Sequence, residues 1–321
     1  EYESIKNTLI KNNIYLGKVS RIEPSLQAAF VDFGRERHGF LSFNDIQSDY
    51  YQIPKSDLEI IKKEEEKLRE ELSKKVEEKE NENLAEGKLE IDDPIDIEKK
   101  ENEEKEKDFD GKNRKSESRN KFKRYKIQEV IKPNQVILVQ VIKDERGQKG
   151  AALSTFISIA GKYIVLMPNT SKGGGISRKI FNPGDRKKIR SILNQIVIPK
   201  EMGLIVRTAG SNKTKNEIDH DLNTLVKTWD QIKENAINAI APSLIHQESE
   251  IINRTLRDMY DDKTKSIIIE GNEGYKKAQN FMKMLIPSHV RKIKKYRGKI
   301  PLFIEEGIEQ KLNQIFETEI K

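Results

Sequence analysis

The chain has 321 residues, 35% of them charged and 35% hydrophobic, and its 60 Lys+Arg against 53 Asp+Glu give a formal net charge of +7; at roughly 100–200 residues per domain, this length predicts two or three domains. The charge is unevenly placed. Positions 61–110 hold 12 basic and 21 acidic residues, so the rest of the chain carries +16, which calls for a polyanionic partner, nucleic acid first. No apolar run approaches the roughly 18 residues of a membrane span. The opening Glu1-Tyr2-Glu3 is no signal peptide. Cysteine is absent, which excludes disulfides, thiolate zinc sites and cysteine nucleophiles. A cytoplasmic protein is expected. The chain lacks an initiating Met and stops just after a helical pattern, so it reads as a piece of something longer.

Taken in order, residues 14–19, 28–33 and 38–41 predict strands, separated by Glu23-Pro24-Ser25 and Gly34-Arg35-Glu36-Arg37, both good turn chemistry. A further strand is expected at 136–142. Short strands with tight turns predict a small barrel, not a βαβ unit. Between them lies a charged insertion over about 55–126. Its first half spaces Leu58, Ile61, Leu68, Leu72 and Val76 near a helical period, which suits a solvated helix; its second half has the composition of a disordered segment. Residues 111–126 carry eight Lys and Arg against Glu117, and either a solvated loop or an auxiliary RNA-binding arm is consistent with that.

From 150 onward the pattern turns α/β, with strands expected at 163–167, 203–206, 266–269 and 301–303. The clearest helix spans about 216–238, where Ile218, Leu222, Leu225, Trp229, Ile232 and Ala236 form one apolar face. Trp229 sits on that face, so packing outranks base stacking as its role. Further helices are expected over 248–260, 273–285 and 304–316.

Phe30 and Phe40 fall on neighbouring predicted strands, with Arg37 and His38 beside them. Exposed barrel aromatics stack bases while basic residues follow phosphates; both rings also suit a barrel core, and the residues alone leave that open. Residues 203–210 form an apolar strand that ends abruptly in Arg207-Thr208 and breaks at Ala209-Gly210. A guanidinium fork and a hydroxyl at a strand tip can chelate a terminal phosphate, although an ordinary surface arginine fits the same pattern. The basic, glycine-rich segment 172–179 is not a Walker motif and is a weak phosphate signal. No metalloprotease, nucleophile-elbow or Walker pattern occurs. His246 has no second histidine at ligand spacing, and Asp258, Asp261 and Asp262 read as an acidic loop. No catalytic or metal-ligating set is therefore expected in this chain.

Several segments together resemble the bacterial ribonuclease E/G family: 13–19, 21–34, 37–41, 143–153, Leu166-Met167-Pro168-Asn169, 174–178 and 203–210. The resemblance covers nearly everything outside about 50–130. Arg37-His38-Gly39 and Ile245-His246-Gln247-Glu248 lie nearer the E branch than the G branch. It implies an α+β multidomain chain: an OB-fold barrel of the ribosomal S-one type, interrupted by the long charged insertion, then an α/β 5′-sensor and an RNase H-like region. The implied boundaries are 1–12 as a remnant of the RNase H-like subdomain, 13–154 as the barrel, 155–252 as the 5′-sensor and 253–316 as the RNase H-like subdomain. Residues 317–321 would then begin a catalytic DNase I-like subdomain.

By the same resemblance Phe30, Phe40 and Lys149 contact RNA, and Arg37 and Arg178 are added from their basic surroundings. Gly161, Val165, Arg207 and Thr208 match a pocket for a 5′-monophosphate. The implied activity is Mg2+-assisted endonucleolytic cleavage of single-stranded RNA in RNA processing and mRNA decay. The implied Mg2+ and Zn2+ sites lie beyond this chain, so these 321 residues are expected to bind RNA without cutting it. Implied partners are 5′-monophosphorylated single-stranded RNA, further copies of the chain in a tetramer, and degradosome proteins. A stand-alone, non-catalytic RNA-binding module is the alternative.

Ordering backbone costs roughly 1–2 kcal/mol per residue, which a segment as charged as the insertion cannot offset by burial. Limited proteolysis of the free protein is expected to cut between about 78 and 125 while the two barrel halves stay associated, and protection across that whole span would contradict the composition argument.

Overall fold

In the computed structural model of the chain, which describes residues 9–63, 67, 125–146, 149–170, 175–196, 198–199, 202–261 and 263–316, the first apolar run becomes a ten-residue strand, β1 (Ile14–Glu23). It continues four residues past the predicted end at Val19, through an irregularity between Val19 and Arg21. Strands β2 (Ala28–Asp32) and β3 (Gly39–Ser42) follow as antiparallel neighbours, with Phe30 opposite Phe40. After the short helix α1 (Ile127–Val130) comes β4 (Val136–Lys143), and then β5 (Ala152–Ser154). The pairing order is β1-β2-β3-β5-β4, and β4 returns to β1 with Ile14 opposite Gln140. A five-stranded barrel is thereby closed, consistent with the expected OB-like α+β fold.

Val19, Val31, Leu41, Val139, Val141 and Leu153 fill the interior, with Ile127 and Val130 of α1 packed on them. So small a barrel needs close backbone approach. A Cβ on Gly39 would lie 2.4 Å from Cδ1 of Leu153, nearer than two carbons can sit.

A second sheet is built from β6 (Ile159–Ala160), β7 (Ile164–Met167), β8 (Gly175–Ile176) and β9 (Gly203–Val206) in the order β6-β7-β9-β8. Helices α2 (Pro183–Leu193) and α3 (Lys215–Asn238) belong to the same core. The α3 face named from its periodicity is the buried one, with Ile218, Leu222, Leu225 and Ile232 inside and Trp229 packed against them. Thr214 caps α3: its hydroxyl accepts from the Glu217 amide while the Glu217 carboxylate accepts from the Thr214 amide, a capping box.

Two carboxamide side chains, buried Gln140 and half-buried Asn169, tie this sheet to the barrel. Gln140 donates to the carbonyls of Asn12 and Ser158 and accepts from the Ser158 amide and hydroxyl. Asn169 donates to Gln47 and to the Thr155 carbonyl and accepts from the Ile157 amide. Strand β10 (Ser243–His246) then joins the barrel sheet beside the start of β1.

Residues from Lys6 to Ser249 form one compact unit, and those from Glu250 onward belong to another. In the second, β11 (Ile267–Ile269) and β12 (Ile293–Lys295) are parallel, and helix α5 (Asn272–Leu285) lies in the connection between them. Leu256 of α4 (Ile251–Asp258), Ala278, Met282 and Ile293 share its core with Tyr260.

Three expectations need correction. Residues 301–303 are not a strand: Pro301 caps a one-turn helix, α6 (Leu302–Glu305), because its fixed φ starts a helical turn. The helix expected over 304–316 is split at Gly307, whose φ of +66° no helix accommodates, and only α7 (Ile308–Phe316) resumes. The helix expected from 248 begins at 251, since the amides of Glu248 and Ser249 are held by the Asn13 carboxamide. Helix α2 was not anticipated, although Asn182 before Pro183 is a legible start: its side chain accepts from the Gly184 amide at 3.0 Å. Of the insertion helix, Leu58 and Ile61 fall on helical residues 55–63; Leu68, Leu72, Val76, the expected disordered half and most of the basic arm lie outside the described residues. So do residues 1–8, 171–174 and 317–321. Among the described residues no helix is long and apolar enough to cross a membrane.

Replacing Gln140 with Leu would take this partner from the Ser158 amide and hydroxyl and from two half-buried carbonyls. A loss of about 1–3 kcal/mol is expected, read as a lower urea midpoint at unchanged slope.

Candidate nucleic-acid interface

Pleating sends alternate residues of a strand to opposite faces. Ala29, Val31 and Leu41 take the inside, so Phe30 and Phe40 both point outward. Their rings meet edge to face at 6.0 Å, and the Arg21 guanidinium lies 4.4 Å from the Phe30 centroid. Phe40 keeps 37% of its surface exposed. The core-filling alternative for these rings is thus set aside by the packing. Arg37 and Lys149 are both exposed. Strands β3 and β5 run parallel with Phe40 opposite Ala152, so Arg37 and Lys149, each three residues earlier, come to the same end of that pair. This face combines stacking surface with cations.

Arg178 does not belong to that face. Strand β8 is parallel to β9 with Ile176 opposite Val206, which brings exposed Arg178 to the sheet end that carries Arg207 and Thr208. Strand β7 is antiparallel to β9 with Ile164 opposite Val206, so the turn 161–163 arrives there too. Gly161, Arg207, Thr208 and Arg178 therefore gather at one end of the second sheet. Val165 pairs with Ile205 one step further in and is half-buried.

Arg207 is fastened to the 161–163 turn through both its side chain and its backbone. Its Nη1 donates to the Gly161 carbonyl at 2.7 Å, and its backbone amide donates to the Tyr163 carbonyl at 2.8 Å. The turn is held in its own right by Asp221 of α3, whose carboxylate accepts from the amides of Lys162, Tyr163 and Ile164 at 3.3, 2.8 and 3.1 Å. Burial pushes the Asp221 carboxyl above the ordinary carboxylate range, while those three amides and the Arg207 charge pull the other way. The ammonium groups of Lys213 and Lys162 lie 5.1 and 5.9 Å from the Tyr163 ring. The result is a cation-rich sheet end suited to an anion with several oxygens.

Sequence reasoning missed Asp221, Lys162, Tyr163, Lys213 and Arg21. Asp221 alone left a readable mark: it falls on the apolar stripe of α3, three residues after Ile218 and four before Leu225, where an unpaired carboxylate would be costly. Elsewhere, His246 pairs with Glu248 at 3.2 Å, Asp258 with Arg257 at 3.0 Å, and the Asp261 carboxylate accepts from Thr264. Among the described residues no three His, Cys, Asp or Glu side chains converge as a metal site would require.

The chain has clear similarity to known proteins. The model of the Ribonuclease E/G family matches residues 158–321. Ribonuclease E of Haemophilus influenzae is 35% identical over 311 residues, 97% of this chain and 26% of the relative. Ribonuclease E of Escherichia coli is 36% identical over 312 residues, covering 97% and 23%. Ribonuclease G of Escherichia coli is 25% identical over 312 residues, covering 97% and 51%. The chain thus spans about a quarter of the length of the first two relatives.

A Cβ at Gly161 would fall 2.6 Å from Oδ2 and 2.8 Å from Oδ1 of Asp221, whereas one at Gly175 meets nothing within 4 Å. Gly161→Ala is expected to lower stability by about 1–3 kcal/mol in urea denaturation, with Gly175→Ala as a near-neutral control.

Proposed function

Because the chain belongs to the ribonuclease E/G family, we propose that it holds single-stranded RNA on the outer face of its barrel and reads a 5′-monophosphate at Arg207 and Thr208. In this reading residues 13–154 are the RNA-binding barrel with the charged insertion at 55–126, residues 155–252 the 5′-sensor, and residues 253–316 an RNase H-like part. Phe30 and Phe40 offer stacking surface to bases, a contact that tolerates many sequences. Arg21, Arg37 and Lys149 supply positive charge along the backbone path.

The observation that carries the 5′-end reading is the double fastening of Arg207 to the 161–163 turn. A guanidinium whose plane is set in advance loses little freedom on meeting a phosphate. A terminal monoester carries about −1.5 to −2 charge near neutral pH and presents three acceptor oxygens, so it gains more from this cluster than an internal diester does. Arg178, brought to the same sheet end, adds to that preference.

The family implies Mg2+ and Zn2+ for cleavage. The donor set here does not fit them: Asp258 and Asp261 are engaged by Arg257 and Thr264, cysteine is absent, and no three ligands converge among the described residues. No hydrolytic step is assigned to these side chains, whose part in a ribonuclease is to hold and orient RNA.

The test is a binding titration of wild type and Arg207→Gln against 5′-monophosphate and 5′-hydroxyl forms of one oligonucleotide at fixed salt. Hydrogen bonds to charged groups contribute about 1.5–3 kcal/mol, so a loss of roughly 10- to 150-fold is expected for the monophosphate and little for the hydroxyl form. Equal losses for both would reduce Arg207 to a general phosphate contact.

A further inference from the structure

Asp221 is 6% exposed and lies on a helix that contributes neither Arg207 nor Thr208. A buried carboxylate ordinarily engages a cationic side chain or a metal. Here its oxygens accept from three consecutive backbone amides, Lys162, Tyr163 and Ile164. Those amides leave their peptide units facing one way; the Gly161 carbonyl accepts from the Arg207 guanidinium and the Tyr163 carbonyl from its backbone amide. Gly161 has no side chain because the carboxylate occupies the place of its Cβ. The chain of contact runs from α3 through the turn to the guanidinium without a gap.

We propose that Asp221 is the positioning residue of the terminal-phosphate site: by pinning residues 162–164 it presents the Gly161 carbonyl to Arg207 and thereby sets the guanidinium plane that meets a 5′-monophosphate. The inference rests on the 5′-end reading of Arg207. A carboxylate near a phosphate site is a paradox on charge alone, since removing it lowers repulsion and should strengthen the binding of any RNA. The three amides resolve it, because their dipoles offset much of the charge at its source. The net effect expected of Asp221 is therefore geometric and specific to the RNA 5′ end.

The variant is Asp221→Asn, which keeps the shape of the side chain but turns one acceptor into a donor. Either orientation of the amide opposes a donor to at least one of the three backbone N–H groups. Asp230→Asn, an exposed position on the same helix paired with Lys233, controls for the change in net charge. Each is titrated with 5′-monophosphate and 5′-hydroxyl oligonucleotides beside Arg207→Gln and the Asp221→Asn/Arg207→Gln double variant.

Asp221→Asn is expected to weaken the monophosphate RNA by roughly 2- to 10-fold and to leave the hydroxyl RNA within the range set by Asp230→Asn. The double variant is expected to lose no more than Arg207→Gln alone, because both act through one guanidinium. A loss for Arg207→Gln with none for Asp221→Asn would overturn the inference and leave the 5′-end reading standing. No end-specific loss for Arg207→Gln would overturn that reading itself and the inference with it. Equal weakening of both RNAs by Asp221→Asn would make it a stability residue only, and additive losses in the double variant would show that it does not act through Arg207; either result overturns the inference. If Asp221→Asn does not fold, the wild-type protein decides: the backbone amide resonances of Tyr163 and Ile164 are expected to shift with the monophosphate oligonucleotide and not with the hydroxyl form, and no such selective shift would overturn the inference.

Discussion

The fold depends on one strand being paired on both sides. Strand β1 hydrogen-bonds β4 along one edge, and β10 and then β2 along the other. Only its pairing with β4 closes the barrel, and β4 begins after residues 43–135 have intervened. Loop closure makes this tolerable: entropy grows with the logarithm of loop length, so each doubling adds only about 0.6 kcal/mol. Once β1 and β4 meet, Val19, Val31, Val139 and Val141 share an interior, and a long insertion changes that interior very little.

Closure also creates the platform for the second sheet. The outward residues Ile14, Leu16 and Leu138 are not surface residues; they join Ile164, Leu204 and Ile218 in a single core. The backbone groups freed where strands stop are met by carboxamides. Asn13, Gln140 and Asn169 each carry both donor and acceptor atoms, so one side chain can satisfy an N–H and a carbonyl of different segments. Gln140 and Asn169 use both, which explains amides, and not carboxylates, at their joints.

The electrostatics follow the same division of labour. Excess positive charge attracts a polyanion from a distance with little regard to its ends. At the end of the second sheet, Arg207 donates from Nη1 to the Gly161 carbonyl, a contact that restrains the guanidinium. Two distinct faces result, with stacking on the outer barrel and the cation cluster at the end of β7 and β9.

Much of this was legible in the residues. Short apolar runs bounded by turn residues placed β1 to β4, a strict apolar stripe placed α3, and the abrupt change from Val206 to Arg207-Thr208 marked a strand tip, because these patterns arise from local backbone geometry. The residues alone did not tell whether Phe30 and Phe40 point in or out, which depends on whose side chains already occupy the interior. Nor did they assign Arg178 to the sheet end, a matter of parallel register between β8 and β9. They showed Asp221 as a polar residue on an apolar stripe without saying what it holds. Its partners lie some sixty positions away, and only the packing of α3 onto the 161–164 turn brings its carboxylate to three successive backbone amides.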